Sequence, residues 1–517
     1  MSIPGLTDTD IEQITAHGIG LEDAGRQMDA YRRPPAHARL DRACTAGDGI
    51  TLVDIADLDR LLASFEQASR ELVITKFVPA SGAASRMFRS PLAVRAQGLE
   101  TREALVAAAA RDADAQAVLE LGDDIHRFAF GEDLAAVLGA DPAAIFTGGG
   151  VLQLLDALLG EPGLDYAARP KGLIKFHRNG GGSRTAAEEH LVEAAHYARD
   201  ADGLCRVHFT VSEEHLEMFE ALVAEVTPRL GRTLDVDYRI DFSLQKASTD
   251  AVAATPEGGL FRDDDGGLLF RPAGHGALLE NLGDLDADIV FVKNIDNVVP
   301  DHLKEPTILW KRALGGLLYE LRAEVGRHLE AIAEDDCALG SVEAALTFAS
   351  DKLGVRVPTD VAGVAERLAH AREVLSRPLR VCGMVRNEGE PGGGPFWVES
   401  NGTVSKQIVE SSQVDPDDAS QQECFATGTH FNPVDLVCAL RDANGRKYDL
   451  QRYVDHETAF IADKSKEGRP LRSFERPGLW NGAMAFWNTV FVDVPPETFN
   501  PVKTVNDLLR SAHQPLG

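Results

Sequence analysis

A chain of 517 residues is long enough for two to four structural units. Its 44% hydrophobic and 26% charged residues form a globular balance that excludes a disordered chain. Asp and Glu number 81 against 52 Lys and Arg, a formal charge of −29 that repels phosphate backbones; this excludes a general nucleic-acid binder but not one phosphate ligand held by local cations.

The six cysteines, Cys44, Cys205, Cys337, Cys382, Cys424 and Cys438, form no CxxC pair and lie far apart. Neither a disulfide framework nor a zinc knuckle is expected, and a reducing cytoplasm fits. The opening MSIPGLTDTDIEQI has no basic n-region and no apolar h-region, so no signal peptide is expected. No apolar run reaches membrane-spanning length, so no membrane partner is expected either.

In chain order, residues 1 to about 70 read as short helices forming a cap, with apolar positions at helical spacing from Asp54 to Ala68. Glu71 to Ala80, ELVITKFVPA, reads as a buried strand and runs into the small-residue turn ASGAASRM. Residues 97 to 168 are Ala/Leu-rich and helical. After RPKG the chain alternates. GLIKFH, CRVHFTVS, LDVDYRIDFSLQ and DADIVFVKNIDNVV read as strands, and Arg184–Ala198 and Glu213–Leu230 as helices. This alternation predicts an α/β fold with a mostly parallel sheet, whose ligands sit at the carboxyl ends of strands. Residues 301 to 378 read as helical again, and from Leu379 the chain turns β-rich, with EGEPGGG as a flexible turn.

Five segments carry candidate chemistry. In ASGAASRM, small residues admit a ligand to the backbone, whose N–H groups can bind phosphate, and Arg86 adds a positive fork; the same turn also suits simple packing. Lys171, in RPKG, is either a point charge for phosphate or a solvated surface lysine. Gly274 and Gly276 around His275 suit a flat base lying on the backbone, or a tight loop with a packed histidine. The apolar strand IVFVK delivers Asn294 and Asp296 at its end, where a carboxylate can hold Mg²⁺ against substrate phosphates or merely cap a turn. Lys503, between Pro501 and an expected helix start, is placed to reach back into a cleft or to cap a terminal helix. His190, His196, His208 and His215 lack a metal-binding pattern and read as structural or surface residues. No GxSxG or Ser-His-Asp order is present.

Read together and in order, these segments resemble the UTP–glucose-1-phosphate uridylyltransferases and their UDP-sugar pyrophosphorylase relatives. ASGAASRM looks like their Gly-rich nucleotide loop, RPKGLIKF their Pro-Lys element, RPAGHGALLENL their Pro-Gly-His-Gly segment, and FVKNIDNVV their strand ending Asn-x-Asp-Asn-Leu. GTHFNPVDLV, ADKSKEG, FERPGLWNGAMAFW and TFNPVKTVNDLL follow in family order, the last being similar to Phe-x-Pro-Val-Lys-Thr-x-x-Asp-Leu-Leu. The resemblance spans roughly Glu71 to Gln514. The chain also looks like a bacterial family of unknown function descended from this group.

The resemblance implies a mixed, mostly parallel sheet of the nucleotide-diphospho-sugar transferase type (GT-A-like, Rossmann-like) with helical insertions. It divides the chain into a cap (1–70), a nucleotide-binding core (71–300, with an insertion at about 97–168), a second helical insertion (301–378) and a β-rich sugar-binding part (379–517). The implied partners are a nucleoside triphosphate, UTP favoured, and a sugar-1-phosphate, with Mg²⁺ as cofactor. Ser81, Gly82 and Ala84 would line the triphosphate loop. Arg86, Lys171 and Lys503 would neutralise phosphates. Gln245 would lie near the base, Gly274 and His275 beside base and sugar, and Asn294 on the ribose side. Asp296 would hold Mg²⁺, Asn432 would touch the sugar, and Lys464 has a counterpart in the family.

Three features depart from the family pattern: the loop has one glycine, the Pro-Lys element lies far downstream of it, and no terminal β-helix domain follows Lys503. They raise an alternative, a protein of this fold that binds a nucleotide sugar without making one. A purely structural acidic protein is a further alternative, against which the ordered motif set argues.

Overall fold

The computed structural model describes residues 6–180, 182–356, 363–389, 392–400 and 402–516. Of the EGEPGGG turn, Glu390 and Pro391 lie outside the described residues, as do residues 1–5 of the N-terminus. The chain divides into two units. Unit 1 is Met1–Ile74, Leu244–Val292 and Arg312–Pro495; unit 2 is Thr75–Ser243, Lys293–Lys311 and Pro496–Gly517.

In unit 2 the strand Ile74–Pro79 runs parallel to Leu204–Val211, and Asp237–Leu244 flanks the latter. The strand Ile74–Pro79 is buried along its length except for the half-buried Pro79, as a strand covered on both faces requires. The expected insertion forms short helices at Arg102–Ala109, Ala113–Asp123, Gly131–Leu138, Pro142–Thr147 and Val151–Leu159. Their apolar faces close a core around Phe88, Phe128, Phe130, Phe146 and Leu154, to which Val502, Val505 and Leu508 from the C-terminal segment also belong. That shared burial holds the end of the chain on this unit.

The helix Ala186–Tyr197 starts at a reciprocal cap: Glu188 N–H donates to Thr185 Oγ1 (3.2 Å), and Thr185 N–H to Glu188 Oε2 (2.7 Å). It is buried nearly all round, including Glu188, Glu189, His190 and Glu193. Such a helix is stable only if its charges find partners inside.

In unit 1 the strand Leu379–Arg386 is parallel to Asn488–Asp493 and antiparallel to His430–Ala439. Asn488–Asp493 is parallel to Gly49–Thr51, which is parallel to Thr45–Ala46. A separate antiparallel sheet joins Arg39–Ala43, Gly394–Ser400 and Thr403–Val409. The hairpin Phe460–Lys466/Arg469–Glu475 and the helices Leu339–Asp351, Val364–Leu375 and Ala419–Ala426 belong to the same unit, as does most of the helix Lys304–Ala331.

The mixed α/β class with parallel pairing and helical insertions is the expected one. Two local expectations are corrected. The first 70 residues hold three helices, Asp8–Ala16, Leu21–Arg32 and Ile55–Glu71, but also the strands Arg39–Ala43, Thr45–Ala46 and Gly49–Thr51. Their short runs recruit distant partners, a tertiary effect that local periodicity does not carry. The element after Lys503 is a 3₁₀ turn, Val505–Leu509, not an α-helix, although its Thr504/Asp507 cap is the one a helix uses.

Candidate phosphate site in unit 2

The turn after Ile74–Pro79 is folded by the Pro-Lys element. Ala84 N–H donates to Arg169 C=O (3.0 Å), Lys171 N–H donates to Gly82 C=O (3.3 Å), and Ala83 bridges Pro170. Separation in sequence, which departs from the family pattern, therefore leaves the two motifs adjacent in space. Nothing lies within 4 Å of where a Cβ on Gly82 would project, so the turn faces open space there. Ser81 is half-buried; Arg86 is exposed and has no ion pair among the described residues. Ala84 is buried and its amide is already committed to Arg169.

A second clip brings in the chain end. Val502 N–H donates to Asp296 C=O (3.0 Å), Asn500 N–H donates to Asn297 Oδ1 (2.9 Å), and Asn297 bridges Pro501. Lys503 and Thr504 N–H both donate to Asp507 Oδ2, fixing the next turn.

These clips place Lys171 Nζ and Lys503 Nζ each 3.0 Å from Asp296 Oδ2. Lys171 Nζ also donates to Val502 C=O (2.8 Å). The Lys171 side chain is 15% exposed, that of Asp296 10% and that of Lys503 58%, so one ammonium is built in and the other faces solvent. Asp296 Oδ1 is buried with no hydrogen-bond partner. Burial pushes the Asp296 carboxyl up, but the Lys171 and Lys503 ammoniums outweigh it and hold it below the usual carboxylate range. Burial, followed by the opposing pull of Asp296, leaves Lys171 below its usual value. Two ammoniums share one carboxylate oxygen beside the small-residue turn, with the Asp507 carboxylate a weaker anion on Lys171. Asn294 lies two residues before Asp296 and its C=O accepts from Asn297 N–H (3.2 Å).

Beneath this site lies a buried ionic cluster that the motif reading did not find. Glu193 accepts from Lys76 Nζ (3.1 Å), from Lys293 Nζ (2.9 and 3.0 Å) and from Tyr197 Oη (3.1 Å). Lys76 Nζ also donates to His190 C=O (3.0 Å), and His190 Nε2 approaches Ile295 C=O (3.2 Å), one residue before Asp296. Burial lowers Lys76 to about 7. The sequence signal was a lysine inside each of two apolar strands, ITKFVP and IVFVK. His208 and His215 hydrogen-bond to Ser243 Oγ and Ala168 C=O and so are structural, whereas His196 is exposed.

The remaining candidates lie in unit 1. Gln245 Nε2 donates to Asp250 Oδ1 (3.1 Å). Gly274 has φ +77°, and a Cβ there would meet Glu475 Oε2 at 2.5 Å, so the close backbone approach expected of it is made by this carboxylate. His275 stacks on Trp480 with ring centres 4.2 Å apart and accepts from Leu479 N–H (3.0 Å), the packed-histidine alternative. Lys464 pairs with Glu475 at 2.7 Å. Asn432 is buried, and its Oδ1 accepts from the N–H of Val434 (3.1 Å), which is held at φ +58°. A β-branched residue in that region is strained, and Asn432 secures it.

Among the described residues no cluster of three or more His, Cys, Asp or Glu is placed to hold a metal, and no helix is long and apolar enough to cross a membrane. All six cysteines are free.

Solved structures similar to this chain include the uridine diphosphate N-acetylglucosamine pyrophosphorylase of Trypanosoma brucei, with 13% identity and a TM-score of 0.48 over 98% of this chain and 80% of that one. A mutant UDP-glucose pyrophosphorylase of Leishmania major in complex with UDP-glucose shares 11% identity, with a TM-score of 0.43 over 98% and 79% of the two chains. A UDP-glucose phosphorylase of Trypanosoma brucei shares 12%, with a TM-score of 0.45 over 97% and 77%. No curated protein matches the chain in sequence. The model of one family, described as Domain of unknown function (DUF4301), matches residues 7–514, and the chain belongs to that family.

Proposed function

We propose that the chain is a nucleotidyltransferase that joins a nucleoside triphosphate, UTP favoured, to a sugar-1-phosphate and releases pyrophosphate. The observation that carries this reading is the convergence of Lys171 and Lys503 on one oxygen of Asp296 beside the 81–87 turn. Supporting it is the family order of the motifs that supply these residues.

In this reaction a sugar-1-phosphate oxygen attacks the α-phosphorus and the bond to the β-phosphate oxygen breaks. Two polyanions must meet, so catalysis is mainly positioning and charge neutralisation. Lys171, held by Asp296 and Val502 C=O, is a preset cation that pays little reorganisation on binding. Lys503, mostly solvent-exposed, swings between carboxylate and phosphate at low cost. Arg86, unpaired at the end of the turn, offers a planar fork to a further phosphate oxygen.

Mg²⁺ fits Asp296. Its Oδ1 has no protein partner, and Mg²⁺ commonly takes one or two carboxylates and completes its shell with water and substrate phosphates, so a larger acidic cluster is not required. Bound there, the ion would neutralise charge on the transferring phosphates. A reducing cytoplasm suits six free thiols.

A pyrophosphate-release screen of four nucleoside triphosphates against a panel of sugar-1-phosphates with Mg²⁺ tests the proposal. Release with UTP and at least one sugar-1-phosphate, abolished by a chelator, is expected. The commitment of the Ala84 amide to Arg169 favours the alternative of a binding protein. Tight UDP-sugar binding by calorimetry with no release anywhere in the panel would establish that alternative instead.

The pH profile carries a second expectation. Lys171 acts while protonated, and its folded-state value lies below the ordinary 10.5. Activity therefore falls as pH rises through that lowered value. A kcat/KM profile flat to pH 10.5 would contradict a charged Lys171 in the mechanism.

A further inference from the structure

Unit 1 contains a cleft of about 190 Å³ between the segment after Leu339–Asp351, the strand Thr403–Val409 and residues 485–489. Its lining is unusual for a protein of charge −29: it includes Lys406, Arg356, Arg377 and His370, and no Asp or Glu is among the described lining residues. A cationic cavity in an acidic protein concentrates the local potential on anions.

Several of the donors in it are not satisfied by the protein. The Lys406 ammonium has no hydrogen bond or ion pair among the described residues, only the face of Phe491 at 5.9 Å. Its head lies against backbone: Gly354 has φ +68°, and a Cβ there would meet Lys406 Nζ at 2.6 Å. Trp487 is 4% exposed, and its Nε1 is buried without an acceptor. His370 Nε2 is likewise buried without a partner. Arg377 is paired with Glu373 (2.7 Å), which also lies 3.9 Å from His370 Nδ1, on the side away from the free Nε2. Burial lowers Lys406 to about 8, still mostly protonated at pH 7, so the cleft holds a real charge.

Two buried nitrogens without partners, His370 Nε2 and Trp487 Nε1, and the half-buried Lys406 ammonium without an acceptor belong to residues lining one cavity; left unpaired they are costly, and one multivalent anion would satisfy them together. The hydroxyls of Ser400, Thr403 and Ser405 in the same lining suit a polyol, and Phe486, 41% exposed, offers an apolar ring face. We infer that this cleft, lined by Lys406, His370 and Trp487, is a binding site for a small organic phosphate, its phosphate group taking the three free donors and its hydroxylated carbon chain the serine and threonine side.

The site is separate in residues from the one around Asp296, so the test removes that one first. In full-length protein carrying Lys171→Met and Lys503→Met, inorganic phosphate and glycerol 3-phosphate are titrated calorimetrically, with glycerol as the neutral control. One equivalent of glycerol 3-phosphate is expected to bind, more tightly than inorganic phosphate, with no heat from glycerol. Adding Lys406→Met is expected to weaken binding by roughly tenfold or more, because a charged hydrogen bond is lost. It is also expected to leave the ligand-free Tm unchanged or higher, because an ammonium without a protein acceptor is removed. Trp487→Phe, which keeps the ring and removes the N–H, weakens binding independently of any folding defect in the lysine variant. Loss of all phosphate binding in the Lys171→Met/Lys503→Met protein, or unchanged affinity in both the Lys406→Met and Trp487→Phe backgrounds, would overturn the inference.

Discussion

Replacing Lys503 with alanine is expected to lower kcat for pyrophosphate release by about 10²–10³-fold, the usual loss when one donor to a developing anion is removed. The fold should not notice. The Lys503 side chain is 58% exposed, and Asp296 keeps Lys171 at 3.0 Å. An exposed ion pair is worth about 0–1 kcal/mol, so Tm should move by only a few degrees. Asp296→Ala is expected to abolish turnover as well, but at a cost in stability. It leaves the buried Lys171 ammonium without its counter-charge, a loss of up to about 3–5 kcal/mol for a broken buried pair. The split between the two variants, both severely impaired in activity but unequal in stability, separates a catalytic cation from a carboxylate that both positions and neutralises. Turnover within a few-fold of the parent protein in both would count against the assignment.

The second large effect concerns Glu193. Its carboxylate is fully buried and carries Lys76, Lys293 and Tyr197 at once. Glu193→Gln leaves two lysines in a dry interior with a neutral partner and is expected to cost about 3–5 kcal/mol in urea unfolding. Glu193→Gln combined with Lys293→Met should recover a good part of that loss, because the second change removes one of the orphaned charges. A loss below about 1 kcal/mol for the single variant would contradict a buried charge cluster held together by Glu193. The pH dependence has a definite sign. Lys76 titrates near 7 in the fold and at 10.5 ordinarily. Between these values the unfolded chain binds the extra proton, so this group makes stability rise with pH across that window. Lys76→Met removes that slope.

The candidate site was legible where sparse polar residues stand in an apolar context. Asp296 lies three residues past a strand with four apolar residues in five, Lys171 and Lys503 each follow a proline within two positions, and the three side chains meet in the fold. What the sequence hid was pairing. Nothing local says that Ala84 spends its amide on Arg169 or that the Gly274 approach is filled by Glu475. Nor does it say that Lys76 reaches a glutamate 117 residues away. The strands at Arg39–Ala43 and Gly49–Thr51 were missed for the same reason, since a run of three to five residues is a strand only because of its partner. The cationic cleft at Lys406 was invisible because its lining is gathered from helix-flanking, strand and turn residues with no motif in common.

The central claim is that Lys171, Asp296 and Lys503 form one phosphate-binding centre, and equilibrium binding of UTP tests it without requiring turnover. Calorimetric titration of Mg²⁺–UTP into the parent protein and into Lys171→Met should give saturable binding in the first and at least about tenfold weaker binding in the second. UTP that binds both proteins equally well, or neither, would contradict it.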